Sequence, residues 1–132
     1  MNTKFSTNFY VLSKHTNHKI PLIFGGAFFS ELDLAAASCV RQVLYGTECD
    51  NAVTYKFEGT FHAPSFMGDI IYIDAEIVEM RYKTISVKVE AYREPEPTSE
   101  INDAKRIHVA SANFVFVTMK EDKYINHGLS LG

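Results

Sequence analysis

Two features of the sequence could do chemistry, and both belong to one predicted helix. The paired glycines Gly25 and Gly26 stand directly before its first turn, where glycine lets the backbone approach another group closely. The N–H groups of that turn have no partner within the helix. With the helix dipole behind them, they can hold an anion or a developing oxyanion. An ordinary turn with a helix cap explains the same glycines, and the pair alone does not decide between the two interpretations.

Asp33 is the second feature, and it lies in the middle of the same helix between Leu32 and Leu34. An isolated charge is costly among apolar side chains, so this carboxylate must be paired, hydrogen-bonded or shifted in pKa. Two simpler interpretations stay open, in which Asp33 faces water or caps a neighbouring loop.

The element that carries both features is a long helix predicted over residues 24–43. Its apolar residues recur at spacings of three and four, which places them on one helical face. This set comprises Phe28, Leu32, Ala35, Ala36, Cys39, Val40 and Val43. A second set, Phe29, Leu34 and Ala37, widens the stripe until the helix is apolar nearly all round, which is typical of a helix inside a protein.

Length and composition restrict the class of protein. The chain has 132 residues, enough for one domain spanning 1–132, and 46% hydrophobic with 22% charged residues excludes wholesale disorder. A formal charge of −3 argues against a nucleic-acid partner. No apolar run is long enough to span a membrane and no signal peptide is visible, so a cytoplasmic location without membrane contact is expected. Under reducing conditions we expect Cys39 and Cys49 to be free.

Five strands are predicted around the helix, over residues 5–13, 52–62, 70–80, 84–92 and 107–119. Core candidates in the first are Phe9, Val11 and Leu12. The second alternates, with Val53, Tyr55, Phe57 and Gly59 on one side and Thr54, Lys56 and Glu58 on the other. Residues 93–103 form an acidic linker, and 120–132 form a polar tail that is a candidate for mobility.

This order of elements predicts an α+β domain, in which one long central helix lies on the concave face of a curled antiparallel sheet of about five strands. The free edge of such a sheet has unpaired backbone N–H and C=O groups that can pair with another strand, and a homodimer that continues the sheet would cover them.

The residues also resemble a known family. Thr16-Asn17, then Ile23 to Gly26, then Asp33 seven residues after the second glycine are similar to hot-dog fold acyl-CoA thioesterases of the acyl-CoA hydrolase branch. The similarity continues in Phe61, Pro64 and Gly68-Asp69, and in a closing strand over 110–117. Two departures are visible. Ile20-Pro21 stands in a lengthened loop where the family has a glycine, and Lys83-Thr84 replaces a Thr-Ser or similar pair.

The resemblance implies hydrolysis of an acyl-CoA to free acid and coenzyme A by a homodimer, or a higher oligomer built from dimers, with sites at the dimer interface. It makes Asp33 the general base or, as an alternative, the nucleophile. Backbone N–H groups near Gly25, Gly26 and Ala27 would form the oxyanion hole. Asn17 would orient the water or the carbonyl, although an Asx turn explains this residue equally well.

The resemblance also implies a substrate-binding set. The acyl chain would enter an apolar slot lined by Phe28, Phe29 and Phe61, and Lys83 with Thr84 would contact the coenzyme. No cofactor is expected. No metal is expected either, because His15 and His18 have no third ligand near them in sequence.

Two alternatives share this fold. A hydroxyacyl-thioester dehydratase would need a histidine in the region of the chemistry, and residues 20–60 contain none. A non-catalytic protein that binds acyl thioesters leaves no mark of its own in a sequence, so it stays open.

Overall fold

The structure, a computed structural model of the chain, describes residues 1–16, 19, 21–23, 25–95 and 105–131. Its elements are β1 (Lys4–Tyr10), a 3-10 turn (Ser13–His15), α1 (Gly25–Leu44), β2 (Asn51–Phe61), β3 (Ile70–Met80), β4 (Thr84–Arg93), β5 (Ile107–Lys120) and β6 (Lys123–Tyr124). All strand pairs are antiparallel, in the order β1-β3-β4-β5-β2, and β6 folds back on the end of β5. The predicted α+β architecture is confirmed, with one short strand more than predicted.

The helix α1 packs on the sheet through the apolar face that its periodicity predicts. Every member of the predicted set is buried, and Leu44 extends the face by one position. The second apolar set behaves differently, since Leu34 is 60% exposed and Phe29 and Ala37 are half-buried. The prediction of a helix enclosed all round is therefore wrong for the single chain. A single sheet covers one face of a helix, and the opposite face of α1 stays open.

The sheet meets the helix through alternating side chains of its central strands. The fully inward-facing residues are Ile71, Ile73, Ala75 and Ile77 of β3, and Ile85, Val87, Val89 and Ala91 of β4. Together with the apolar face of α1 they form one hydrophobic core. Successive side chains of a strand point to opposite faces of the sheet, and this alternation places the row inside.

The first strand is shorter than predicted. It ends at Tyr10, and Val11 leaves the sheet by donating its N–H to the carbonyl oxygen of Asp69 at 2.9 Å. Val11 is buried as expected, but Leu12 is 49% exposed because it already belongs to the turn around His15. Leu12 is therefore not a core residue.

The C-terminal segment is not a free tail. β6 pairs with β5, and the Thr118 hydroxyl donates to the carbonyl oxygen of Ile125 at 2.6 Å. His127 is buried, and its Nε2 lies 3.2 Å from the carbonyl oxygen of Thr84. Polar contacts contribute to holding this segment, together with Ile125 and Leu129, which are partly buried against the core.

Both cysteines are free and buried, as expected for a chain without disulfides. Burial raises the pKa of the Cys39 thiol to about 11. Within the described ranges, no helix is long and apolar enough to cross a membrane. Most of the predicted acidic linker, residues 96–103, lies outside the described residues.

Candidate active site

Asp33 is hydrogen-bonded to the sheet. The hydroxyl of Thr54 on β2 donates to Asp33 Oδ1 at 2.6 Å, and the carboxylate is half-buried. The pair lies in a cavity of about 350 Å³, which we call the carboxylate cavity. Its walls are Phe29, Ser30, Asp33, Thr54, Tyr55, Phe57 and Phe114. Asp33 thus meets the requirement for a hydrogen-bonded carboxylate and does so beside an apolar, partly open space.

A β-bulge brings Thr54 to the helix. The register between β2 and β5 shifts between Thr54 and Lys56, so that Tyr55 is the extra residue. Beyond the bulge, Phe57 contacts Phe29 of α1 with ring centroids 5.6 Å apart. Thr54 and Phe57 therefore both meet the helix although they are three residues apart. The predicted alternation, which put them on opposite sides, is wrong here, and Thr54 was missed for that reason.

A second cavity of about 380 Å³ opens where α1 begins, and we call it the helix-entrance cavity. It is lined by Leu22, Ile23, Gly25, Phe28, Phe61, His62, Ala63, Pro64 and Ser65. The structure therefore brings together three predicted site residues, Gly25, Phe28 and Phe61. Gly26 and Ala27 follow in the first turn, whose N–H groups have no partner within the helix.

Glycine is needed where the helix and β2 approach each other. A Cβ on Gly59 would lie 2.7 Å from two ring atoms of Phe29 and 3.0 Å from the carbonyl oxygen of Ser111. A Cβ on Gly25 would lie 3.3 Å from the ring of Phe61. The rings of Phe29 and Phe61 also touch each other, with centroids 5.3 Å apart. These two aromatic residues form the partition between the two cavities.

Other predicted residues lie elsewhere. Asn17 is outside the described residues. Lys83 and Thr84 are at the turn into β4, where the carbonyl oxygen of Lys83 accepts the N–H of Thr118 at 2.9 Å. Neither residue lines either of the two cavities. Their proposed contact with coenzyme therefore stays a prediction that the single chain does not test.

His15, His62, His108 and His127, the histidines among the described residues, each have a hydrogen-bonding partner. Buried His15 accepts the Leu12 N–H on Nδ1 at 2.9 Å, so its Nε2 carries the proton toward Glu31 Oε1 at 3.2 Å. Across the part of the chain that the structure describes, no group of three histidine, cysteine or acidic side chains could hold a metal ion.

A polar cluster occupies the outer face of the sheet, and we call it the histidine cluster. The hydroxyl of Ser111 donates to Glu90 at 2.7 Å, while His62 lies 2.9 Å from that hydroxyl and His108 hydrogen-bonds to Glu90. Burial alone would raise the pKa of Glu90. The hydrogen bonds from Ser111 and His108 outweigh that effect and lower it below the ordinary value.

Comparison with known proteins agrees with this architecture. Acyl-CoA thioester hydrolase YciA of Salmonella typhimurium is 28% identical to the chain over 101 residues, which cover 76% of this chain and 71% of that protein. A hexameric hotdog fold thioesterase of Campylobacter jejuni superposes with a TM-score of 0.73 and 28% identity, covering 92% of this chain and 86% of the other.

An acyl-CoA hydrolase from Staphylococcus aureus, solved with butyryl coenzyme A, coenzyme A and coenzyme A disulfide, superposes with a TM-score of 0.79 and 21% identity. That alignment covers 96% of this chain and 71% of the other. These neighbours confirm the predicted hot-dog fold. The family model of the thioesterase superfamily matches residues 21–100, more than half of the sequence. The chain belongs to the thioesterase superfamily.

Proposed function

We propose that this protein hydrolyses acyl thioesters of coenzyme A. The observation that carries the proposal is the carboxylate of Asp33, held by Thr54 beside an apolar cavity, on the same helix whose first turn borders a second cavity. The activity named for YciA, and the coenzyme A ligands of the Staphylococcus aureus neighbour, support the same substrate class.

In the proposed reaction Asp33 acts as general base. It takes a proton from a water molecule whose oxygen attacks the thioester carbon. Thr54 holds the carboxylate in position through its hydroxyl. The N–H groups of Gly26 and Ala27 stabilise the negative charge that develops on the carbonyl oxygen. The tetrahedral intermediate then collapses, the C–S bond breaks, and the proton held by Asp33 passes to the departing sulfur of coenzyme A.

The helix geometry favours a site built from two chains. Asp33 is seven residues from Gly26, which corresponds to about 10 Å along a helix at 1.5 Å per residue. A base and an oxyanion hole must both lie close to one reacting carbonyl, at roughly 3 Å each. The Asp33 and Gly26 of one chain are too far apart for that, so we propose that Asp33 of one chain works with Gly26 of a partner.

The edge strand β2 offers the means of association. Among the described residues it pairs with β5 alone, so the backbone of its other edge is open, and Val53, Tyr55 and Phe57 on this strand are exposed. A second copy that pairs antiparallel with β2 would set the Thr54 end of one strand opposite the Phe61 end of the other. Such a pairing would bring the carboxylate cavity of one chain beside the helix-entrance cavity of its partner.

The proposal also fixes the assembly and the remaining roles. We propose a homodimer or a dimer-based higher oligomer, as the hexameric Campylobacter jejuni neighbour suggests. The chain acts as one domain in the cytoplasm, without a cofactor. Asn17 orients the water or the carbonyl, and Lys83 with Thr84 contacts the coenzyme, as the family resemblance implies. Light scattering at micromolar concentration tests the assembly, and a stable monomer would overturn the shared site.

The test of function is free-thiol release from short, medium, long and aromatic acyl-CoAs. Asp33→Asn should lower kcat by about 100-fold, because it keeps the shape and removes the base. A matched control is Asp74→Asn on the outer face of the sheet. There too the carboxylate accepts a hydrogen bond from a hydroxyl, since Ser6 Oγ donates to Asp74 Oδ1 at 2.7 Å. The control should keep its activity.

Three outcomes would contradict the proposal in different ways. Full activity of Asp33→Asn would show that another residue supplies the base. Saturable binding of acyl-CoA without turnover by the native protein would favour a non-catalytic binding protein. Loss of water from a hydroxyacyl-CoA, detected by mass spectrometry, would favour a dehydratase.

A further inference from the structure

The helix-entrance cavity contains an unpartnered hydroxyl. Ser65 lines this cavity, and the residue is only 1% exposed. In the described part of the chain, Ser65 Oγ is the one buried side-chain oxygen or nitrogen without a hydrogen-bond partner. Such a group is unfavourable in a folded protein, and its presence needs an explanation.

The backbone around Ser65 is held firmly. The carbonyl oxygen of Ser65 accepts the N–H of Ile23 at 2.9 Å, and that of Pro64 accepts Nε of Arg93 at 3.0 Å. The hydroxyl has no bond of its own to lose, and rotation about one side-chain torsion moves it among three staggered positions. Ser65 can therefore turn its hydroxyl to a ligand in the cavity without breaking a hydrogen bond.

The rest of the cavity wall is mainly apolar. Ile23, Phe28 and Phe61 contribute aliphatic and aromatic surface, and His62 is the other polar side chain of the lining. An apolar pocket with few polar groups binds the carbon skeleton through its walls and fixes orientation through those groups. The position beside Gly25 puts Ser65 within the same cavity as the first turn of α1.

We propose that Ser65 Oγ hydrogen-bonds to a polar group on the arm of the thioester that enters the helix-entrance cavity. This rests on the proposed function and specifies the substrate further. The polar group is a hydroxyl or keto oxygen on the acyl chain, or an amide of the pantetheine arm. Both sources offer the same chemistry, a neutral hydrogen-bonding group a few bonds from the thioester carbon.

The experiment compares native protein, Ser65→Ala and Ser6→Ala in kcat/KM. Ser6 lies on the outer face and controls for loss of a hydroxyl. The substrates are butyryl-, hydroxybutyryl- and acetoacetyl-CoA, with S-ethyl thiobutyrate, which has no amide, as a shortened analogue. We expect Ser65→Ala to lose about tenfold on the thioesters that carry the bonded group, the value of one neutral hydrogen bond.

The pattern of loss identifies the source of the group. A loss confined to the hydroxy and keto substrates assigns Ser65 to the acyl chain. An equal loss on every CoA substrate that disappears with the shortened analogue assigns it to the pantetheine arm. Equal kcat/KM for Ser65→Ala and native protein on all substrates would overturn the proposal.

Thermal unfolding separates binding from structure. The melting temperature of Ser65→Ala should equal or exceed that of the native protein, because the variant removes a buried hydroxyl that has no hydrogen-bond partner. A lower melting temperature would mean that Ser65 serves the fold. If the native protein turns over no thioester, the proposed function fails by itself. The affinities of native protein and Ser65→Ala for hydroxybutyryl-CoA and butyryl-CoA, measured by calorimetry, then decide the role of Ser65. If the variant binds both ligands as tightly as the native protein does, the proposed role of Ser65 is overturned.

Discussion

Thr54 Oγ1 and Asp33 Oδ1 are 2.6 Å apart, and this bond ties the edge strand of the sheet to the middle of the helix. A carboxylate that accepts one hydrogen bond from a hydroxyl can still accept another from a second donor, through its other oxygen and its remaining lone pairs. In the proposed mechanism that second donor is the attacking water. The bond therefore orients the Asp33 carboxylate and, in that mechanism, leaves it free to accept a proton from water.

Thr54→Val should lower kcat by about tenfold while KM changes little, because the variant keeps the shape and removes the donor that orients Asp33. Thr54→Ser should keep most of the activity, since it retains the hydroxyl. Steady-state kinetics on the best acyl-CoA measure both. Combined with Asp33→Asn, Thr54→Val should add almost nothing, because residues that act as a unit are not additive. A full further tenfold loss in the double variant would contradict this coupling.

Mixing two inactive variants should restore activity if the site is shared between chains. Asp33→Asn removes the base, and Gly26→Pro removes an amide from the first turn, where proline is tolerated. Equal amounts, unfolded and refolded together, should recover about a quarter of native activity, because half of the dimers are mixed and each holds one intact site. Thiol release measures the recovery. Either variant refolded alone is the control, and no recovery despite mixed dimers would contradict a shared site.

Gly59→Ala should destabilise the protein by about 1–3 kcal/mol, because its Cβ would overlap the ring of Phe29 and crowd the Ser111 carbonyl. Urea denaturation gives the free energy of unfolding. Phe29→Leu removes the overlapping ring atoms. The double variant should therefore lose less stability than the sum of the two single variants. Strict additivity would show that the close approach of Phe29 is not the cause.

Glu90→Gln should change how stability depends on pH. The folded-state pKa of Glu90 is below its ordinary value of 4.5, so its contribution is complete above that value and is lost as the pH falls through the lowered pKa. We expect the native protein to exceed Glu90→Gln by up to about 1 kcal/mol at neutral pH, with the difference shrinking below about pH 4.5. Urea denaturation across that range measures it. Glu79→Gln, which breaks an exposed pair with Arg81, is the control and should follow the native curve. A constant difference for Glu90→Gln would contradict the assignment.

The fold could be predicted because its signals are periodic. The helix face from Phe28 to Val43 and the alternation in β4 each follow from a regular repeat. For Asp33, the sequence predicted only that the carboxylate needs a hydrogen-bonding or charged partner. The identity of that partner depended on the bulge at Tyr55, since one extra residue reverses the face of every residue before it. Local sequence carries little sign of such a shift.

Ser65 shows a second limit of sequence reasoning. A serine after a proline reads as part of an ordinary turn. Its cavity is closed by Ile23 and Phe28, which are distant from it in sequence, together with its near neighbour Phe61. The exposure of Leu34 could not be predicted for a related reason. Periodicity identifies an apolar face of a helix but does not indicate what covers that face.

The burial of both cysteines limits their reaction with thiol reagents that would detect the proposed product. Cys39 is fully enclosed and, with a pKa of about 11, carries almost no thiolate at neutral pH, while Cys49 is buried beneath the end of the helix. In the proposed thiol-release assay, a chromogenic disulfide is therefore expected to react with free coenzyme A before it reacts with Cys39. On warming, Cys39 becomes exposed as the protein unfolds, and it then reacts with the same reagent. A single sample can therefore report thiol release first and unfolding afterwards.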